Sequence, residues 1–153
     1  MVELRAVDPE EPDAQRCLRA YVTELNRRAP ERGFDPSKGS TANPHEVRPP
    51  HGAFVVAYLR GEPVGCGAVK HHPGDVTDIK RMWIAESARG LGLGRRLLEH
   101  LEGLAREHGS TAVRLETGDV LTEAIALYRS AGYEEVEPFN DEPYADRWFK
   151  KPL

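Results

Sequence analysis

The stretch from Val76 to Gly109 constrains this chain more than any other. It passes from an apolar segment ending Met82-Trp83-Ile84 into Arg89-Gly90-Leu91-Gly92-Leu93-Gly94-Arg95-Arg96, then into an amphipathic repeat. The spacing predicts a strand over Val76–Ile84 and a helix that ends at His108-Gly109. Leu93, Leu97, Leu98, Leu101, Leu104 and Ala105 share one face of that helix, with Glu99, Glu102, Arg106 and Glu107 off it. A strand that feeds a helix through glycines is suited to a phosphorylated ligand. Glycine allows a tight turn and a close approach to the main chain. The first helical amides have no partner within the helix and lie at the positive end of its dipole. A diphosphate there meets several donors together. Arg89, Arg95 and Arg96 crowd the same end, where the dipole offers cations nothing, and an anion between them accounts for the placement.

Four readings of this turn compete. A Walker-type loop requires Gly-Lys-Ser/Thr after its second glycine, and Gly94 is followed by Arg95-Arg96. The dinucleotide fingerprint Gly-x-Gly-x-x-Gly falls on Arg95 in one register and Leu97 in the other. Glu116, at the end of the next strand, stands near the distance of a ribose-binding acid and is the one feature in its favour. An acyl-CoA pocket is the third reading. A glycine-rich connection without a ligand is the fourth.

The chain of 153 residues is long enough for one domain with its own core, spanning 1–153. No apolar run approaches the roughly twenty residues that cross a membrane. The start, Met1-Val2-Glu3-Leu4-Arg5, lacks the apolar region of a signal peptide, so a cytoplasmic protein is expected. Cys17 and Cys66 form neither a disulfide framework nor a metal-binding pair, and no metal site is expected. Cys66, between two glycines in an apolar strand, reads as a buried inert thiol. A net charge of −4 argues against nucleic acid as a partner. The acidic run from Glu134 to Asp146 is either a solvated surface or an attractor for a cationic amine.

In chain order, Leu4 to Val7 predicts a first strand and Asp13 to Arg28 a helix. Its stripe of Cys17, Leu18, Tyr21, Val22 and Leu25 is core, with Tyr21 and Glu24 alternatively facing a pocket. Residues 29–51 hold five prolines and two glycines, which predicts at most a turn of helix there and a flap over the acceptor site. Ala53 to Leu59 and Val64 to Lys70 form a hairpin closed by a loop at His71-His72-Pro73-Gly74. After the central helix come a strand over Ala112–Thr117, a helix opened by Thr122 as N-cap, a strand over Tyr133–Val136 and a last strand from Arg147. This order predicts an α/β domain whose mixed sheet is antiparallel early and parallel around the glycine turn, flanked by about four helices.

The pattern Arg89-x-x-Gly92-x-Gly94 after Met82-Trp83-Ile84 resembles the pyrophosphate-binding motif of the GNAT N-acetyltransferases. A second segment, Glu123 to Tyr133, is similar to the family helix that ends in Leu-Tyr, three residues, then Gly and an aromatic. The two motifs stand in the family's order. The resemblance implies acetyl-CoA as cosubstrate and direct transfer of an acetyl group to a primary amine, a small molecule or amino acid. It implies that Met82, Trp83 and Ile84 line the pantetheine arm and that the backbone from Arg89 through Gly90, Leu91, Gly92, Leu93 and Gly94 to Arg95 holds the pyrophosphate. Tyr128 would be the general acid on the departing thiolate. Relatives often carry a glutamate six residues before the position of Ile84; Asp78 stands there and is the candidate base, the alternative being a polar strand residue paired with Lys80 or Arg81. On that expectation Asp78→Asn lowers the rate most below neutral pH. Leu121 departs from the family, which often has Asn at that position. The resemblance leaves a homodimer open. A non-catalytic acyl-CoA sensor and a nicotinamide-dependent oxidoreductase are the competing functions.

Overall fold

The computed structural model describes residues 1–34 and 43–153. Seven strands form one mixed sheet: β1 (Val2–Val7), β2 (Gly52–Leu59), β3 (Glu62–His72), β4 (Val76–Ile84), β5 (Ala112–Thr117), β6 (Glu134–Val136) and β7 (Arg147–Pro152). Their spatial order is β1-β2-β3-β4-β5-β7-β6. All neighbouring pairs are antiparallel except β4 with β5, which is parallel. The expected change of direction therefore falls at the glycine turn. Three α-helices are described rather than about four: α1 (Pro12–Arg28), α2 (Leu93–His108) and α3 (Thr122–Ser130). Short 3-10 turns at Pro30–Arg32, Pro44–Val47 and Glu86–Ala88 fill the remaining positions.

Alternation along β2 explains why its apolar run is nearly continuous. Phe54 and Val56 face α1 with Ala14, Cys17, Cys66 and Ala68. Val55 faces the opposite side, packing with Val69, Ile79, Leu97, Leu98, Leu101, Val113, Leu115 and Phe149. Both faces are buried, so neither needs a polar residue. A β-carbon on Gly67 would stand 2.7 Å from Leu101 Cδ1, so the glycine sets how closely α2 lies on β3. Removing one of the fully buried leucines of α2 would cost about 2–5 kcal/mol.

Several local expectations change. His71 and His72 belong to β3 rather than to a loop, and each ring nitrogen bonds a β4 side chain, Thr77 and Asp78 respectively. Thr122 is already inside α3, whose N-cap is Leu121 without a side-chain cap bond. Glu102 is buried, not solvated, because Tyr133 Oη donates to it at 2.7 Å and Lys151 Nζ at 3.1 Å. The flap expected over 29–51 falls partly outside the described residues; of the rest, Ala29, Arg32 and Phe34 border a cavity. Both cysteines are buried and free.

Candidate active site

The site begins where two parallel strands separate. β4 and β5 pair only at Val76–Ala112, Thr77–Val113 and Asp78–Arg114. Beyond that rung, β4 continues to Ile84 with no strand on its β5 side among the described residues, while its other edge stays paired to β3 up to Gly65–Ile84. An irregularity in the β3–β4 register lies here, and Arg81 takes φ 53, a left-handed conformation that strains a side-chain-bearing residue. The bulge re-aims the strand and leaves main-chain groups of its second half open to an extended ligand.

Two cavities occupy the gap. The first runs along Met82, Trp83 and Ile84, the glycine turn at Arg89, Gly90, Gly92, Leu93, Gly94 and Arg95, and Ala124, Leu127 and Tyr128 of α3. The second is bordered by Lys80, Arg81, Leu115, Glu116 and Thr117 of the sheet, Leu25, Ala29 and Phe34, and Glu142 and Tyr144. Tyr21, Met82, Leu121 and Tyr128 line both, so the cavities meet at those four side chains.

The glycine turn has the geometry of an anion cradle. Gly90 and Gly92 take φ 83 and φ 72, and Gly92 is the N-cap of α2. The first amides of α2 therefore face the first cavity at the positive end of the helix dipole. A β-carbon on Gly94 would come within 3.2 Å of Leu127 Cδ2, so this glycine keeps the turn against α3. The arginines behave differently from expectation. Arg89 donates to both carboxylate oxygens of buried Glu24, at 2.7 and 2.6 Å, and through Nε to Ile84 O at 3.2 Å. It ties the turn to α1 and β4 rather than pointing freely at a ligand. Arg95 is exposed and donates to Ser130 Oγ at 2.5 Å. Leu91 is 60% exposed at the tip and does not line the cavity.

Tyr128 is buried at the junction with only 5% exposure. Burial raises its phenol above the ordinary value, helped by the charge of Glu116, so it stays protonated at neutral pH and can donate. Burial raises Tyr21 likewise.

Asp78 lies elsewhere. It borders neither of these cavities and sits on the last paired rung. Arg114 Nε donates to its Oδ1 at 2.6 Å and His72 Nε2 to its Oδ2 at 2.7 Å. These are its partners in place of the expected Lys80 or Arg81. Two acids border the second cavity, Glu142 and Glu116, the latter with a side chain 7% exposed; for Glu116 the sequence suggested only ribose binding. Its place at the carboxyl end of a parallel strand beside the glycine turn is the signal that points to a ligand. Asn140, which bonds Glu116 at 3.1 Å, carried no sequence signal. Among the described residues no cluster of His, Cys, Asp or Glu is arranged for a metal ion.

Residues 15–133 match the profile described as the acetyltransferase (GNAT) family. An IAA acetyltransferase of Azospirillum brasilense is 42% identical over 105 residues, covering 65% of this chain and 67% of that one. The structure of an acyl-CoA N-acyltransferase from Klebsiella pneumoniae superposes with a TM-score of 0.75 at 29% identity, covering 100% of this chain and 98% of the other. A GNAT acetyltransferase from Elizabethkingia anophelis, solved with acetyl-CoA bound, gives a TM-score of 0.68 at 15% identity over 99% and 98% of the chains. At that identity the likeness concerns the fold alone.

Proposed function

The chain belongs to the GNAT acetyltransferase family, and from that premise we propose that it moves an acetyl group from acetyl-CoA to the primary amine of a small molecule or amino acid. The observation that carries the reading is the meeting of the two cavities at Tyr128, Met82, Tyr21 and Leu121. One cavity has a turn suited to a diphosphate at one end and an open strand edge along its length. An extended, amide-bearing arm laid on Met82 to Ile84 would pair as an added strand and bring its thioester to the junction. A main-chain N–H there would polarise the thioester carbonyl as charge develops on its oxygen. The backbone from Arg89 to Arg95 would hold the pyrophosphate, with Arg89 acting through its grip on Glu24 to fix the turn.

The second cavity would then hold the acceptor. Attack by its nitrogen on the thioester carbon expels a thiolate, and Tyr128 stands where both ligands would converge. A protonated, buried phenol at that point supplies the proton to sulfur without first having to be neutralised. Direct transfer requires no nucleophile from the protein. The free cysteines are Cys17 and Cys66, and neither borders either cavity. That the Elizabethkingia structure of the same fold was solved with acetyl-CoA bound supports acetyl-CoA as the cosubstrate.

The test compares thermal stability with acetyl-CoA, NADH and ATP at matched concentration. A ligand at a hundred times its dissociation constant adds about 2.7 kcal/mol, roughly 5–10 °C for a domain of this size. A shift with acetyl-CoA, followed by CoA release on screening primary amines and amino acids, is the expected outcome. A shift with NADH alone would overturn the reading. A shift with acetyl-CoA and no turnover of any amine would make this a sensor.

A further inference from the structure

The transfer described above leaves two acids of the second cavity, Glu142 and Glu116, without a task. Glu116 is the penultimate residue of β5, and its side chain is only 7% exposed. Lys80 Nζ donates to Oε1 at 2.6 Å, and Asn140 Nδ2 donates to the same oxygen at 3.1 Å. The amide of Asn140 is itself oriented, because its Oδ1 accepts from Trp148 Nε1 at 2.9 Å and from the Glu142 amide at 3.3 Å. Oε2, in contrast, is buried and has no hydrogen-bond partner among the described residues. A buried acceptor left unmatched is destabilising, and the more so when it is charged. The cavity bordered by this carboxylate is the one bordered by Tyr128, and the charge of Glu116 reaches both the Tyr128 and Tyr21 phenols. One oxygen is held by two donors, from β4 and from the segment before β7; the other awaits a donor. A cationic nitrogen entering the cavity supplies it.

We propose that Oε2 of Glu116 receives the ammonium group of the acceptor and takes from it the proton that must leave before the nitrogen can attack. The proposal rests on acetyl transfer being the reaction, and it narrows the acceptor to small primary amines that arrive protonated. One N–H bond of the ammonium breaks and its proton goes to Oε2. The freed lone pair forms the N–C bond to the thioester carbon. The adduct collapses with cleavage of the C–S bond, and the thiolate takes the Tyr128 proton. Tyr128 regains a proton from the adduct nitrogen, and Glu116 releases its own to solvent as the amide and CoA leave. Lys80 and Asn140 are positioning residues: both donate to Oε1 and leave Oε2 for the acceptor.

The test uses the full chain with the best acceptor found in the amine screen, read as CoA release, beside the thermal shift with acetyl-CoA. Glu116→Gln is expected to lower kcat/KM for the amine on the order of 100-fold while the acetyl-CoA shift is kept. Because that variant leaves Lys80 buried beside a neutral amide, the double variant Lys80→Met with Glu116→Gln, which removes both charges, is measured with it and is expected to be equally slow. Added formate is expected to restore part of the rate to Glu116→Ala, a recovery that a purely structural residue would not give. Activity within about threefold of the parent in either folded variant overturns the assignment and leaves acetyl transfer standing. Loss of the acetyl-CoA shift in both variants also overturns it, because Glu116 would then serve the cosubstrate. Absence of turnover with every amine in the parent protein overturns the transfer reading and this proposal with it.

Discussion

The seam between β4 and β5 contains two carboxylates with opposite circumstances. Asp78 and Arg114 make one rung and Lys80 and Glu116 the next, both separated by 36 residues in sequence. Both acids are almost fully buried, with side-chain exposures of 4% and 7%. On the first rung the strands are still laddered, and the acid has a donor on each oxygen, from Arg114 and His72. On the second the strands have parted, and one oxygen of an acid that borders a cavity has no donor among the described residues. Burial alone does not mark a functional acid. What distinguishes the two is whether the fold has used all of the carboxylate's hydrogen-bonding capacity.

That contrast can be broken by experiment, and Tyr128 gives the largest expected effect on the open side. Tyr128→Phe, read by steady-state CoA release, is expected to lower kcat about 100-fold and leave the acetyl-CoA thermal shift in place. A rate within a few-fold of the parent would remove Tyr128 as the proton donor and leave acetyl transfer standing. On the closed side, Asp78→Asn should leave kcat/KM within about twofold at every pH and instead cost about 1–3 kcal/mol of stability by denaturant titration. A rate loss confined to low pH would restore Asp78 as the base and erase the distinction between the rungs. The smallest effect belongs to His71, also on the closed side, where it bonds Thr77 and stacks on His108 at 3.7 Å. Burial lowers its pKa from 6.5 to about 4, with the charges of His108 and His72 adding to the effect. The folded state therefore holds the neutral ring, while the unfolded chain takes up a proton near pH 6.5. Its contribution is complete above that pH and is lost as pH falls toward 4. The ring is partly exposed, so the effect on Tm is on the order of 3 °C between those limits, and His71→Gln should flatten it.

Much of the fold was legible because the period of the apolar residues differs between strands and helices. The helix from Leu93 to His108 and the strand over Val76–Ile84 end where glycine and apolar spacing place them. The glycine turn was equally legible, since Gly90 and Gly92 adopt backbone angles that other residues avoid. The partners of polar side chains were not. Counting back from Ile84 to Asp78 assumed an uninterrupted strand, and the left-handed residue at Arg81 breaks that assumption. Arg89 next to the glycines suggested a hand for the diphosphate, but Glu24, on a helix 65 residues earlier, holds it. The charged pattern Asp78-x-Lys80 against Arg114-x-Glu116 was present in the sequence all along. Its meaning depended on knowing that the two strands run parallel and side by side.

The position of β7 has a consequence for how the molecule is made. β7 lies between β5 and β6, and among the described residues β6 pairs with no other strand. A nascent chain that has emerged through residue 136 therefore carries β6 with nothing to bond to and β5 with one edge bare. Such edges are templates for pairing with other chains. The meander of β1 to β4 can form early from contacts close in sequence, whereas this flank closes only when residues 147–152 slot between two strands already made. The last of these seven strands to leave the ribosome tunnel is thus an interior one, and until it arrives the edges it will cover stay exposed to aggregation.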